Sequence, residues 1–444
     1  MRACLLAAGE GSRLRPFFKG PKPLFPLLGT PLILRNILSL RSCGIREFVV
    51  VTGCFADELK NYLGDGKRWG VKITYVHNAD WQKGNGSSAL ALKEVIAPGE
   101  TFLLMMADHL FLVPAFHDFI AQQDKVRDGT ILLAADRRLD EVHDLEECTK
   151  IKTEGDKALL LGKGLTEFDA VDCGLFLAGP SLLEALEKAA QEGKHQLTDG
   201  VNRLAQEGKV LLHFVDHPWI DVDDGPSVRP AEKMLLKSLI HPKDGFISRH
   251  INRKFSLEIS RLLAPTKVTP NQITVISFLI CVLSSLCFAA GLPWAGGLLA
   301  QFSSILDGVD GEIARLKWLQ SAYGELFDSI LDRYADFFIV GGMAWWWCTQ
   351  TENLPLALLV SLLALSGQPL SMMIKEKYKN LTGRTFIPEE DDGVFRYMPA
   401  NRDGRLFIIM LGGLLNLVPL TLALLAIISH GQSIMRLARL RHKL

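Results

Sequence analysis

Two rhythms of apolar residues divide the chain. Up to about residue 245, short apolar runs (3–9 ACLLAAG, 47–52 EFVVVT, 72–77 KITYVH, 101–107 TFLLMMA, 130–135 TILLAA, 173–178 CGLFLA and 210–215 VLLHFV) alternate with stretches at helical spacing. That alternation predicts a mainly parallel α/β sheet with ligand sites at the carboxyl ends of its strands. From about Ile273 onward long apolar runs dominate. Candidate spans fall near 271–290, 292–310, 325–349, 353–375, 402–418 and 419–438, each close to the ~20 residues a bilayer requires. The expected architecture is a Rossmann-like α/β domain over 1–240, a juxtamembrane linker over 241–270 and an all-α six-helix transmembrane domain over 271–444. Pro419 marks the expected turn between the last two spans.

The composition fits that division. Of 444 residues, 48% are hydrophobic, and the mean hydropathy of +0.18 is high for a soluble protein. Lys plus Arg equal Asp plus Glu at 49 each, which leaves no case for a nucleic-acid partner. Eight cysteines occur without a CxxC pair, so a reduced, cytoplasmic setting is expected for the first half. Met1 and Arg2 lead straight into a strand, which argues against a cleavable signal peptide. Six spans put both ends on one side. Lys375, Lys377 and Lys379, and Arg436, Arg439, Arg441 and Lys443 at the tail, then lie in the cytoplasm with the N-terminal domain.

The stretch from Asp307 to Asp332, DGVDGEIARLKWLQSAYGELFDSILD, brings Asp307, Asp310, Asp328 and Asp332 into this apolar half. Carboxylates are costly at bilayer depth, so each should face a cavity or another polar group. Asp307 and Asp310 share one helix face by spacing, as do Asp328 and Asp332. Gly311 and Gly324 allow close backbone approach, Gly324 at the expected break between two helices. Hard oxygen donors on two facing helices suit one or two Mg²⁺ or Mn²⁺ ions, which can hold a pyrophosphate while polarising a nucleophile. The pattern D-x2-D-G-x2-A-R-x8-G-x3-D-x3-D resembles the signature of the CDP-alcohol phosphatidyltransferases, with every position filled. The resemblance implies transfer of a phosphoryl-linked group from a CDP-activated donor to an alcohol, releasing CMP. It implies metal on all four aspartates and donor binding at Gly311 and Arg315. Asp332 is also suited to take the proton from the incoming hydroxyl, as an ionised carboxylate beside a metal.

In the first half the opening strand runs into GEGSRLRP and GPKPLFPL. Gly9 and Gly11 are present, but the third position of a dinucleotide fingerprint is Leu14, and Arg13 and Arg15 intrude. The loop offers backbone N–H groups and Arg13 to a triphosphate. Lys22 adds a charge that can follow the α-phosphate. Asp108 closes TFLLMMAD and leaves a carboxylate where a Mg²⁺–nucleotide would lie. Asp221 and Asp223 in WIDVDDG each offer a second ligand, and strand phase leaves both open. Asp224 reads as a turn cap.

LAAGEGSRLRP, PKPLFPL, KGNGSSA (Lys83–Ala89), MMADH and WIDVDD occur in an order that resembles the nucleotidyltransferases joining an NTP to a sugar or alcohol phosphate. That resemblance favours Asp223 as the partner of Asp108. It implies that Gln82, Asn85, Gly86, Ser87 and Ser88 face the nucleobase and ribose. In Gly162–Leu177, Lys163 is the candidate for the acceptor phosphate, with a solvated surface lysine the competing reading. As a whole the chain resembles the bifunctional inositol-1-phosphate cytidylyltransferase / di-inositol-phosphate-phosphate synthase family. This implies CTP plus inositol 1-phosphate giving CDP-inositol, then a CDP-alcohol reaction with a second inositol 1-phosphate, in a homodimer among membrane lipid at the cell membrane. Cytidine follows from the C-terminal half rather than the base pocket. Another alcohol phosphate or a phosphonate, with a lipid or glycan acceptor, stays open at this stage.

Between the halves, Phe246–Leu263 has apolar residues at helical spacing with Arg249, Arg253, Lys254 and Arg261 among them. It suits an amphipathic helix on anionic lipid or a linker helix packed on the soluble domain. TPNQIT (Thr269–Thr274) should end it at Pro270 and cap the next helix with a polar side chain. Asp336 lies one turn beyond Asp332, either supporting the site from behind or paired with an arginine. Arg402 and Arg405 suit a phosphorylated acceptor or positive-inside anchoring.

Overall fold

The computed structural model describes residues 1–240, 245–384, 386, 387, 391 and 401–441; Lys443 lies outside them. The chain forms two compact units, Met1–Ser238 and Leu239–Leu444.

In the first unit the strands are β1 (Arg2–Ala7), β2 (Pro26–Leu27), β3 (Thr30–Pro31), β4 (Glu47–Thr52), β5 (Lys72–His77), β6 (Phe102–Met106) and β7 (His109–Phe111). There follow β8 (Ile131–Asp136), β9 (Lys150–Glu154), β10 (Lys157–Gly162), β11 (Ala170–Ala178), β12 (Val210–Phe214) and β13 (Trp219–Asp221). Nine of them make one sheet in the order β5-β4-β1-β6-β11-β8-β12-β10-β9. The β5-β4-β1-β6 side is parallel as expected, and β11 reverses direction against both β6 and β8. Along β1, Ala3, Leu5 and Ala7 enter one core and Cys4 and Leu6 the other. The sheet is therefore buried on both faces, which is why its strands read as unbroken apolar runs.

Seven helices flank it: α1 (Leu32–Ser42), α2 (Ala56–Leu63), α3 (Asn85–Leu90), α4 (Val113–Ile120), α5 (Pro180–Gln191), α6 (Leu197–Gln206) and α7 (Gly225–Ser238). The loops leaving β1 and β6 carry Lys22 and Asp108 to one edge of the sheet, the carboxyl ends of those strands.

The second unit opens with α8 (Arg253–Leu263), followed by α9 (Pro270–Ala289), α10 (Pro293–Leu316), α11 (Ala322–Gln350), α12 (Leu354–Thr382), α13 (Arg402–Leu414) and α14 (Val418–Leu440). Among the described residues α9, α12 and α14 are long and apolar enough to cross a membrane. The stretch expected to span at 402–418 is a helix of 13 residues, about 20 Å long at the α-helical rise. It stops at Leu414 because Asn416 turns to φ 56°, and Pro419 enters the first turn of α14. Cys281 and Phe288 of α9, Ile339 and Met343 of α11, Ile409 of α13 and Leu425 of α14 share one apolar core. Glycine lets the backbones close up: a Cβ at Gly297 would stand 2.9 Å from the Met410 carbonyl oxygen, the small-residue contact typical of helices packed in lipid.

Thr269 caps α9 as its sequence predicts. Its hydroxyl accepts from Gln272 N, and the Gln272 side chain accepts from Thr269 N at 3.0 Å. The preceding helix packs by its polar side. α8 turns Arg253, Ser256 and Ser260, with Asn252 just before it, into the unit against α10, leaving Phe255 and Leu262 exposed.

Candidate active sites

In the first unit Lys22 organises an acidic cluster. Its Nζ donates to Asp108 Oδ2 at 2.6 Å and to Asp223, and stands 3.6 Å from Asp221. Gly11 makes room for it, having φ 64° and no Cβ to strike the Lys22 side chain. Arg13 pairs with Asp223 and approaches Glu147 at 3.6 Å. His109 Nδ1 lies 3.0 Å from Asp108 and 3.8 Å from Asp221. Burial of Lys22 works against its charge, yet the three aspartates raise its pKa. Burial likewise opposes the Asp108 charge, and Lys22 and His109 still hold that carboxyl below its usual range. Burial pushes Asp221 up to about 6.

Asp108, His109 and Asp221 each present a ligand atom within 4.8 Å of the others. Asp223, favoured from the sequence, instead sits between Lys22 and Arg13. His109 carried no expectation. Its ring stacks on Trp219 at 5.9 Å.

A cavity of about 380 Å³ adjoins the cluster, and Gly9, Asn85, Asp108, Asp172 and Lys163 are among its walls. Lys163 is exposed and pairs with Glu147 at 3.3 Å. Asn85 accepts from Leu197 N at 2.8 Å, a bond that fixes α6 beside α3. Gly86 packs against the His195–Gln196 backbone, where a Cβ would stand 2.6 Å from a carbonyl oxygen. Ser87 and Ser88 engage Asn78 at 3.0 Å each. Part of KGNGSSA therefore serves packing.

In the second unit α10 and α11 bring the aspartates together. Asp307, Asp328 and Asp332 present oxygens within 4.8 Å of one another. Asp310 is buried beside them and accepts from Thr274 at 2.6 Å. Ser321, accepting from Gly324 N at 3.0 Å, caps α11, so Gly324, expected at the break, lies in the first turn of that helix. Arg402 Nη1 reaches Asp307 at 2.6 Å and Asp332 at 2.8 Å, and its Nε reaches Asp336 at 3.3 Å. Arg405 donates to Asp336 at 2.8 Å. Asp336 is thus the arginine-paired residue of its two readings.

Two cavities open here. One of about 700 Å³ is lined by Asn271, Thr274, Asp310, Ala314, Glu325 and Asp328. The other, about 340 Å³, is lined by Arg253, Asp307, Asp332, Lys375, Arg402 and Arg405. Gly311 and Arg315 line both. Behind them Glu312 is fully buried, bonded by Arg253, by Ser256 at 2.7 Å and by Ser260 at 2.5 Å. Sequence reading passed over Glu312.

Both clusters suit a divalent cation. Each holds a buried carboxylate oxygen with no hydrogen-bond partner, Asp221 Oδ1 in one and Asp328 Oδ1 in the other. Buried polar atoms are almost always satisfied, so such orphans beside other hard oxygen donors fit metal ligation.

Comparison with known proteins agrees with this division. The MobA-like NTP transferase domain matches residues 3–204, and the CDP-alcohol phosphatidyltransferase family matches 267–386. A bifunctional IPC transferase and DIPP synthase of Thermococcus kodakarensis is 36% identical, over 92% of this chain and 89% of its own length. Proteins of the same name from Archaeoglobus fulgidus (37%, 95% of this chain and 79% of theirs) and Rubrobacter xylanophilus (34%, 99% and 96%) are also similar.

Proposed function

Because the chain belongs to the bifunctional IPC transferase and DIPP synthase family, we propose that its two units perform consecutive reactions on one nucleotide. The first transfers CMP from CTP to inositol 1-phosphate, giving CDP-inositol and pyrophosphate. The second moves the phosphoinositol group of CDP-inositol to a second inositol 1-phosphate and releases CMP. The observation that carries this reading is that each unit holds its own carboxylate group with an unsatisfied oxygen beside a cavity.

Divalent ions, Mg²⁺ with Mn²⁺ as an alternative in the second unit, would neutralise phosphate oxygens and acidify an attacking hydroxyl. Asp108 with Asp221 or Asp223 would hold such an ion in the first unit, and Asp307, Asp310, Asp328 and Asp332 in the second. In the first reaction an acceptor phosphate oxygen attacks the α-phosphorus of CTP and the bond to pyrophosphate breaks. The Gly9–Gly11 loop and Arg13 cradle the triphosphate, while Lys22 follows the charge that builds on the α-phosphoryl oxygens. Lys163 takes the acceptor phosphate.

In the second reaction the acceptor hydroxyl attacks the phosphorus that bears inositol, CMP leaves, and Asp332 receives the hydroxyl proton. The larger cavity, with Thr274, Gly311 and Arg315, suits the CDP portion. The smaller suits a phosphorylated acceptor, with Lys375, Arg402 and Arg405 on its wall. The second unit is read as a six-span membrane domain, with the N-terminal unit and the C-terminus cytoplasmic and the protein a homodimer. α-Labelled CTP offered with a panel of alcohol phosphates tests the reading. Inositol 1-phosphate should release pyrophosphate and then CMP; a different preferred alcohol overturns the substrate, and release of neither product overturns both reactions.

A further inference from the structure

β11 departs from regular pairing beside the cavity of the first unit. Its register against β8 shifts between Asp172 and Phe176, with Gly174 at φ 72° inside the shift. A Cβ there would stand 2.8 Å from the His109 ring, so glycine is required for the close approach. Irregularities of this kind re-aim side chains next to active sites. Here Asp172 contributes to the wall of the 380 Å³ cavity that also holds Lys163.

The carboxylate is held but not satisfied. Gly174 N donates to Asp172 Oδ1 at 2.7 Å, the one hydrogen bond to this carboxylate among the described residues. An ionised carboxylate can accept about four. Burial pushes its pKa up to about 6, against the Gly174 N–H and the nearby His109, which both favour the charged form. Asp136, on the neighbouring β8, is different: Arg138 and Trp219 donate to it, the latter at 3.0 Å. That aspartate is structural, whereas Asp172 keeps acceptor capacity facing a chamber wide enough for a small polyol.

We propose that Asp172 reads the ring hydroxyls of the alcohol phosphate and is the specificity-determining residue of the first unit. The inference rests on the reading of that unit as a cytidylyltransferase for a polyhydroxylated alcohol phosphate. Lys163 marks the phosphate end of the acceptor and Asp172 the hydroxyl end, so adjacent O–H groups donate to its carboxylate as the phosphate oxygen turns toward CTP.

The test uses the full chain and measures pyrophosphate release with inositol 1-phosphate and with cyclohexyl phosphate, a ring of the same size without further hydroxyls. Asp172→Asn keeps an oxygen for Gly174 N but loses the charge. Its KM for inositol 1-phosphate should rise on the order of 10- to 100-fold while the KM for CTP holds, and the preference for inositol 1-phosphate over cyclohexyl phosphate should fall by the same factor. Asp172→Ala should show the larger loss of preference. An unchanged KM in Asp172→Asn overturns the assignment of this residue alone. Equal losses for both alcohols together with a lower melting temperature reduce it to a support for the strand and also overturn it. If the wild-type chain leaves inositol 1-phosphate unused, the underlying reading fails as well.

Discussion

Arg402 Nη1 stands 2.8 Å from Asp332 Oδ1, so the first residue of α13 lies against the carboxylates that α10 and α11 assemble. The same guanidinium answers Asp307 and Asp336. Without a cation of this kind, facing carboxylates in a poorly hydrated site would repel one another. Removing one partner of a buried ion cluster typically costs about 3–5 kcal/mol. Arg402→Ala should therefore lower the melting temperature in detergent when chelator is present, and Mn²⁺ should restore much of the loss. Equal destabilisation with and without Mn²⁺ would make Arg402 a packing residue unconnected with the ion site.

Replacing Asp332 by Asn should divide the two activities. CMP release should fall by about 10²–10⁴-fold, the usual worth of a general base, while pyrophosphate release from CTP continues. Joint loss of both in a well-folded protein would show that the division of labour is wrong.

The converse variant is Lys22→Ala. Its ammonium bridges Asp108 and Asp223, and without it CTP should release little pyrophosphate. Supplied CDP-inositol should still be consumed at the wild-type rate. Normal cytidylyl transfer by this variant would remove Lys22 from the mechanism.

Glu312 tests how α8 is fixed. Glu312→Ala removes the acceptor shared by Arg253, Ser256 and Ser260, and breaking a buried pair from one side costs about 3 kcal/mol or more. Proteolysis within α8 should accelerate while the first unit keeps its own unfolding transition. Unaltered protection of α8 would mean that apolar contacts suffice to hold it.

The quartet of aspartates was legible because helical spacing alone puts each pair on one face, and α10 and α11 form where that spacing requires. The choice between Asp221 and Asp223 was not. Asp221 is the last residue of β13 and Asp223 lies beyond it, where the two-residue alternation of a strand no longer applies. His109 was hidden for a related reason, since the turn at Ala107–Asp108 lets neighbours in sequence point into one site. The β9–β10 hairpin escaped notice because Leu159 and Leu160 are exposed and blur the alternation that would identify it.

For α8 the period of the apolar face was readable, but which of its polar residues would be buried was not. Beside lipid, apolar side chains gain nothing by turning inward, so the polar stripe can be the side that packs. Asn252, Arg253, Ser256 and Ser260 do so.

Gly311 borders both chambers of the second unit. Arg315 lines the same two chambers, and a Cβ added at Gly311 would stand 3.3 Å from its Nη1. A methyl group added there would press on the guanidinium that the two chambers share, so a single small substitution should be felt in both.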